Sequence, residues 1–503
     1  MKPALLPLAA LGVAAATAVW ADPAYGQLQF SAPTDFLVGG FPGPIRAHDL
    51  DGDGHLDLVT ADHQSNQLSL LFGDGAGGFP VSIAIPVGND PHGLEVADLD
   101  GDGYADLVSA NNDASVTVLL SNGVGGYIAN TMSSLPSNTR SCMARDLDGD
   151  GILDLVVSAT AGVLVFVGQG NGAFGASSST WPAGPSPVTF ADAADLNADG
   201  KTDTLVANQL AGQVSVLLGD GSGGFLAPSS FSVGSSHTMS VVLGDINLDG
   251  MLDAVSGNYT PNVSVLLGDG TGILGPPTVL TTNGAPYSLH IRDLDLDGFA
   301  DLAIPDETAK RVVVLRGDGA GGFGSILEFP NGGRSIWLTA GDLDEDGWPD
   351  LAVANAHEDS VSILVNKSVP TCSPLPEYGN GCPGLGGFTP KLSMCGNPAP
   401  GGALTLTLSG TAPQSLAVVL LGAFQASIPA AGTCWLLVHP VFPIAITFPT
   451  GGTASVAGSG LVEIPFTVPM GTLPAVVQLQ GFVGDSSNPW GYAASNGVTV
   501  SIQ

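Results

Sequence analysis

An acidic loop of the form D-x-[DN]-x-D-G-x-x-D occurs seven times in this chain at intervals of 48 to 50 residues, starting at Asp49, Asp98, Asp146, Asp195, Asp245, Asp293 and Asp342. A unit repeated at a period of roughly 20–50 residues stacks into a solenoid, a propeller or an array, because one copy alone cannot bury its apolar face.

The first copy places oxygen side chains at loop positions 1, 3, 5 and 9 and glycine at position 6. Calcium takes about six to eight oxygen ligands, and alternate side chains of a tight loop, with a backbone carbonyl at position 7, supply them. Glycine at position 6 permits the sharp turn. The candidate ligands are Asp49, Asp51, Asp53, His55 (carbonyl) and Asp57; Asp98, Asp100, Asp102, Tyr104 (carbonyl) and Asp106; Asp146, Asp148, Asp150, Ile152 (carbonyl) and Asp154. They continue with Asp195, Asn197, Asp199, Lys201 (carbonyl) and Asp203; Asp245, Asn247, Asp249, Met251 (carbonyl) and Asp253. The last two sets are Asp293, Asp295, Asp297, Phe299 (carbonyl) and Asp301; Asp342, Asp344, Asp346, Trp348 (carbonyl) and Asp350. A solitary copy would also fit a solvated acidic turn. Seven copies in one register argue for metal, since clustered carboxylates repel without a counter-ion. Asn197 and Asn247 remove one charge each, so those loops should bind calcium more weakly.

Position 12, where an EF-hand carries glutamate, is here Thr60, Ser109, Val157, Val206, Ser256, Ile304 and Val353. Each loop runs instead into a β-type segment such as Asp57-Leu58-Val59-Thr60. In the second repeat Gly93–Ala97, Ala105–Ser109 and Ser115–Leu120 read as three strands, with a fourth from Tyr127. A Gly-rich segment, Gly73 to Phe79 and again Gly219 to Phe225 and Gly317 to Phe323, separates strands three and four. No Lys follows it, so a hairpin turn is favoured over a phosphate cradle.

Phe30 precedes Asp49 by 19 residues, as Phe79 precedes Asp98. The segment Phe30 to Gly39 is therefore a fourth strand without its first three, while the last repeat stops after its third strand, Ser360–Val365. Joining the two closes a seven-bladed β-propeller and removes the open edges of an array. These residues, with Asp49 to Phe79 as the clearest unit, resemble the FG-GAP and VCBS repeat family, the blades also found in integrin α-subunits. The resemblance covers residues 27–366 and implies an all-β propeller with structural calcium in up to seven loops, without specifying a ligand.

Residues 1–21 read as a signal peptide, with Lys2, an apolar stretch and Ala21 before the cut. The propeller is assigned to 22–367, a Pro/Gly-rich linker to 368–390 and a C-terminal β-sandwich to 391–503. Seven runs of strand character support the last: Ala403–Leu408, Ser415–Leu421, Trp435–His439, Ile444–Phe448, Leu461–Val468, Ala475–Leu479 and Val498–Ile502. The expectation is a secreted or cell-surface protein without a membrane span. Its 46 acidic against 12 basic residues come largely from the loops, and no basic stripe offers nucleic acid a surface. In an exported chain Cys372, Cys382, Cys395 and Cys434 suit disulfides, with Cys372–Cys382 and Cys395–Cys434 the favoured pairing. Cys142 stands alone in the propeller and reads as a small buried residue.

Neither a zinc-protease His motif nor a nucleophile elbow is present, and most of the eight histidines read as surface or turn residues. No catalytic residue is assigned. With the acidic loops on one face, the turns between strands two and three and the crossings between blades emerge on the other. Those segments carry Asn89, Asp90, His92, Asn111, Asn112, Arg140, Asn208, His237, Asn258, Tyr259, Tyr287, Arg334 and His357. Two functions compete: an extracellular binding or adhesion module for carbohydrate or protein, and a polysaccharide lyase or hydrolase built on the same scaffold.

Overall fold

Each repeat folds into four antiparallel strands because its apolar runs are separated by residues that turn. In this computed structural model residues 28–368 are described, apart from 124, 134, 136, 176–179, 185–187, 283 and 285; beyond 368 only strands are described. The chain begins with β1 (Thr34–Leu37) and continues through β2 (Pro42–His48), β3 (Asp57–Asp62), β4 (Gln67–Phe72) and β5 (Val81–Pro86). Strands β2 to β5 form the first blade in sequence order. Six more sheets repeat the pattern, giving seven four-stranded blades among the described residues.

Side chains alternate across a strand, and β3 is buried on both faces. Leu58 packs toward the seventh blade, whereas Val59 and Ala61 pack toward the second. Second strands therefore read as near-continuous apolar runs. The outermost strand β5 alternates between exposed and half-buried positions instead. Consecutive first strands pack on one another to form the inner ring, as Pro42–His48 does against Pro91–Ala97 and Ser335–Gly341.

β1 closes that ring. It pairs antiparallel with Ser360–Leu364, placing Thr34 opposite Ile363 and Leu37 opposite Ser360, so the seventh blade takes its outer strand from the other end of the propeller sequence. An apolar cluster fills each of the seven interfaces between neighbouring blades. At the closure Ile45, Leu58, Leu71 and Phe79 meet Leu343, Ala352, Val361 and Ile363. The fold is thus an all-β seven-bladed β-propeller, contained in one compact unit, Leu28–Val369.

Beyond it, strands occur at all seven segments expected for the C-terminal region, and also at Glu377–Tyr378, Lys391–Gly396, Ser427–Pro429 and Tyr492–Ala494. Ala475–Gly484 pairs with both Leu416–Gly422 and Gly497–Ile502, and Ala403–Thr411 with both Lys391–Gly396 and Gly460–Thr467. The expected sandwich packing, the signal peptide and the proposed cysteine pairs lie outside the described residues. Cys142 is buried and reduced, its thiol donating to Val108 O at 3.5 Å, and burial pushes its pKa up. No helix among the described residues is long and apolar enough to cross a membrane.

Candidate functional site

The seven acidic loops join the first and second strands of every blade and share one internal geometry. The position-1 carboxylate accepts from the position-6 glycine N–H, as Asp49 Oδ2 does from Gly54 at 2.9 Å; this recurs in all seven. Position 5 accepts from the position-7 N–H, as Asp53 does from His55 at 2.8 Å, again in all seven. The position-6 glycines lie at φ between 80° and 94°, the left-handed region that only glycine enters freely.

Position 9 has a further role. Asp57 is fully buried, and its two oxygens accept from Leu50 N and Gly73 N, both at 2.7 Å, tying the loop to the end of the third strand. Asp106 does the same with Leu99 N at 2.9 Å and Ser121 N at 2.7 Å. The remaining five copies repeat both bonds. Burial pushes Asp57 and Asp106 up to about 6 and Asp301 and Asp350 up to about 7, the neighbouring loop carboxylates adding to the rise. Asp154, Asp203 and Asp253 are raised for the same reason.

The donors converge as a hard cation requires. Ligand atoms of Asp49, Asp51 and Asp53 lie within 4.8 Å of one another, as do those of Asp98, Asp100 and Asp106, of Asp146, Asp148 and Asp154, and of Asp293, Asp295 and Asp297. Asp295 Oδ1, Asp342 Oδ1 and Asp344 Oδ1 are buried without a hydrogen-bond partner, and an orphaned carboxylate oxygen is what a metal would satisfy. An all-oxygen set selects calcium-class ions over softer metals. Asn197 and Asn247 keep their place, each accepting from the position-5 N–H at 3.0 Å. The sixth loop differs: Arg316 Nη2 sits 2.5 Å from Asp295 Oδ2 and 3.2 Å from Asp297 Oδ2, a protein cation already in contact with two candidate ligands.

Two features of the loop escape a reading focused on its acids. Position 2 is apolar and buried in every copy, from Leu50 through Leu99, Leu147, Leu196, Ile246 and Leu294 to Leu343. It anchors the loop in the core between blades. Position 4 lies at positive φ throughout, as glycine in the first three copies and as Ala198, Leu248, Leu296 and Glu345 in the rest. Both signals were present as repeated residue types at fixed offsets.

On the opposite face the expected ligand residues divide. Asn111, Asn208 and Asn258 are fully buried and do not face outward. They hold the ends of the second strands, Asn208 donating to Ser215 Oγ at 2.8 Å and Asn258 to Ser264 Oγ at 2.9 Å. With Asp62, Asp306 and Asn355 they form a periodic polar clasp five residues after position 9, a regularity the sequence carries. Outward-facing rings remain. Tyr259 is 56% exposed, with His237 and Tyr287 each 6.1 Å from it by ring centroids. Phe41, held at φ 57°, packs between His63 at 5.7 Å and His357 at 5.2 Å. His63 lies 4.3 Å from His92, and Arg140 donates to His92 Nε2 at 3.3 Å. His63 and His92 are more enclosed than turn histidines usually are; burial lowers both, His63 to about 4. Arg334 and Lys310 are already engaged by Glu358.

The FG-GAP-like repeat model matches six overlapping segments, 49–109, 98–157, 146–206, 195–256, 245–304 and 293–353. The chain belongs to the FG-GAP-like repeat family. The matched segments run from the first acidic loop to the second strand of the seventh blade of this FG-GAP-like propeller, so each spans two successive loops. Among solved structures, BBS1N in complex with ARL6DN, soaked with mercury, aligns with a TM-score of 0.49 at 13% identity, covering 68% of this chain and 98% of that one. A lectin of Agrocybe aegerita that recognises non-reducing terminal N-acetylglucosamine aligns with a TM-score of 0.45 at 19% identity, covering 66% and 96%. No curated protein sequence matched.

Proposed function

We propose that this propeller is an exported binding or adhesion module, stiffened by structural calcium, that takes a carbohydrate or protein ligand on the face opposite the acidic loops. The observation that carries the reading is the double role of position 9. A carboxylate that clips two backbone N–H groups inside the blade while facing the loop's other acids would let a bound ion strengthen a hairpin. Position 9 is buried in every copy, and the half-buried or exposed carboxylates at positions 1 and 5 accept from the loop's own N–H groups, so the set serves to hold the loop together. The opposite face instead offers exposed or half-buried rings on short turns, and variable loops on a rigid scaffold are where recognition usually lies. Phe41 is one case: a bulky residue at positive φ is strained, and the strain is held by Asp359, which accepts from Phe41 N at 2.9 Å.

The residues expected to hold calcium are the position 1, 3, 5 and 9 side chains with the position-7 carbonyls. Millimolar extracellular calcium would keep even weak loops of this kind substantially filled, which agrees with export through residues 1–21. The test is incubation of the purified, calcium-loaded protein with a panel of polysaccharides and glycoproteins. Retention without turnover, lost on replacing Tyr259 or Phe41 by Ala, supports a binding module. New reducing ends or unsaturated products would establish the lyase or hydrolase reading instead, and neither retention nor turnover would leave a purely structural role.

A further inference from the structure

We propose that His63, Asp90 and His92 form a binding site for a zinc-class transition metal, separate from the acidic loops and on the face opposite them. The three residues come from two neighbouring blades: His63 follows β3, Asp90 lies in the crossing to the second blade, and His92 is near the start of its first strand, Pro91–Ala97. One ligand atom from each lies within 4.8 Å of the other two. His63 Nδ1 is 3.6 Å from Asp90 Oδ1, and His92 Nε2 is 3.2 Å from Asp90 Oδ2. Donors around a tetrahedral ion with bonds near 2.0–2.1 Å are about 3.4 Å apart; the two imidazole nitrogens stand near that distance from Asp90, one from each of its oxygens. The donor class also differs from the loops, since two imidazoles and one carboxylate suit zinc, nickel or copper rather than calcium.

The contacts around Asp90 support the assignment. His92 Nε2 lies 3.2 Å from Asp90 Oδ2 and 3.3 Å from Arg140 Nη1. No tautomer satisfies both contacts, since a protonated Nε2 that donates to Asp90 faces the Arg140 donor, and a bare Nε2 that accepts from Arg140 faces the carboxylate. A metal bonded to Nε2 and to Asp90 removes the second of these conflicts. His63 Nδ1 is too far from Asp90 for a hydrogen bond, and His63 Nε2 is buried with no hydrogen-bond partner, so the ring's position is not explained by hydrogen bonding.

Asp90 is tightly positioned. Its backbone sits at φ 54°, its N–H donates to Asn66 Oδ1 at 2.8 Å, its carbonyl accepts from Asn112 N at 3.0 Å, and its Oδ2 accepts from Asn112 Nδ2 at 2.9 Å. Such outer partners orient metal ligands. Gly43 makes room for His63, because a Cβ there would come within 2.1 Å of His63 Nε2.

The test is zinc titration of the full-length protein by calorimetry in excess calcium, which keeps the acidic loops filled, with cobalt absorption as a second readout of coordination. One zinc per chain is expected. D90N and H92Q should each weaken it on the order of 100-fold, an effect at least as large as loss of an outer-shell partner. Gly43→Ala should weaken it by pushing the His63 ring aside. Arg140→Gln should tighten it by removing a competing cation. A melting curve taken with each variant identifies any that fails to fold, and H92Q and Gly43→Ala, which leave the bonds of Asp90 to Asn66 and Asn112 intact, then decide. No zinc uptake in calcium, or uptake insensitive to both of these, overturns the site.

Discussion

Replacing Asp106 by Asn separates the two roles of position 9. Asp106 is fully buried, and burial raises its pKa from 3.8 to about 6. One unit of pKa is worth about 1.4 kcal/mol, so holding this carboxylate ionised without metal costs about 3 kcal/mol above pH 6. The sign follows from proton binding: between pH 4 and 6 the folded metal-free chain holds a proton that the unfolded chain has released. The stability contributed by the protonated form is therefore present in full below pH 4 and lost as pH rises through 6. Asn keeps one acceptor oxygen for Leu99 N or Ser121 N and turns an NH2 toward the other, a donor facing a donor, which costs about 1–3 kcal/mol. The two terms nearly cancel at pH 8 without metal, so Asp106→Asn should be close to neutral there. At pH 5 about 1.6 kcal/mol of that cost has already accrued, because the unfolded carboxyl is ionised there, so the variant should compare less favourably with the native chain at pH 5 than at pH 8, by about 1.4 kcal/mol. In saturating calcium the ion repays the ionisation, and Asn, a weaker ligand, should lower the melting temperature at pH 8. The assay is thermal unfolding of metal-stripped and calcium-loaded protein at pH 5 and pH 8, with metal content measured. Equal destabilisation with and without calcium at pH 8 would refute the argument, because Asp106 would then be only a clip.

Three further outcomes are expected. Leu248 occupies position 4 at φ 58° and is exposed, so Leu248→Gly should raise stability by roughly 0.5–1 kcal/mol by relieving left-handed strain; a lower denaturation midpoint would count against it. Arg316→Gln should lower the melting temperature of metal-stripped protein, since Asp295 and Asp297 lose their cation, while strengthening calcium binding at the sixth loop in a site-resolved titration; weaker binding there would show that Arg316 supports the ion instead. Removing residues 1–37 should expose the edge of Ser360–Leu364 and unpack the closing interface, giving a large fall in melting temperature and aggregation on size-exclusion chromatography; a monomer of unchanged stability would mean that closure does not depend on the N-terminal strand.

The parts of this protein legible in its sequence are those it repeats. The acidic loops, the four strands per blade and the strand exchange at Thr34–Leu37 all follow from offsets that recur in several copies. The position-2 anchor recurs in all seven copies, and the buried clasp at Asp62, Asn111, Asn208, Asn258, Asp306 and Asn355 in six, the third blade having Ala159 at that offset. They were harder to see because a leucine in an acidic loop resembles ordinary alternation, and an asparagine at a turn resembles a ligand residue. The opposite face is different in kind. His63, Asp90 and His92 share no local spacing motif; they meet because the crossing from one blade folds back against a turn of its neighbour. Phe41 and His357 approach only because β1 carries the chain from the seventh blade into the first. Periodicity reports what every blade needs in order to fold. Recognition on a propeller uses what individual blades do not share, so the residues proposed to meet a ligand become visible only once the ring is closed.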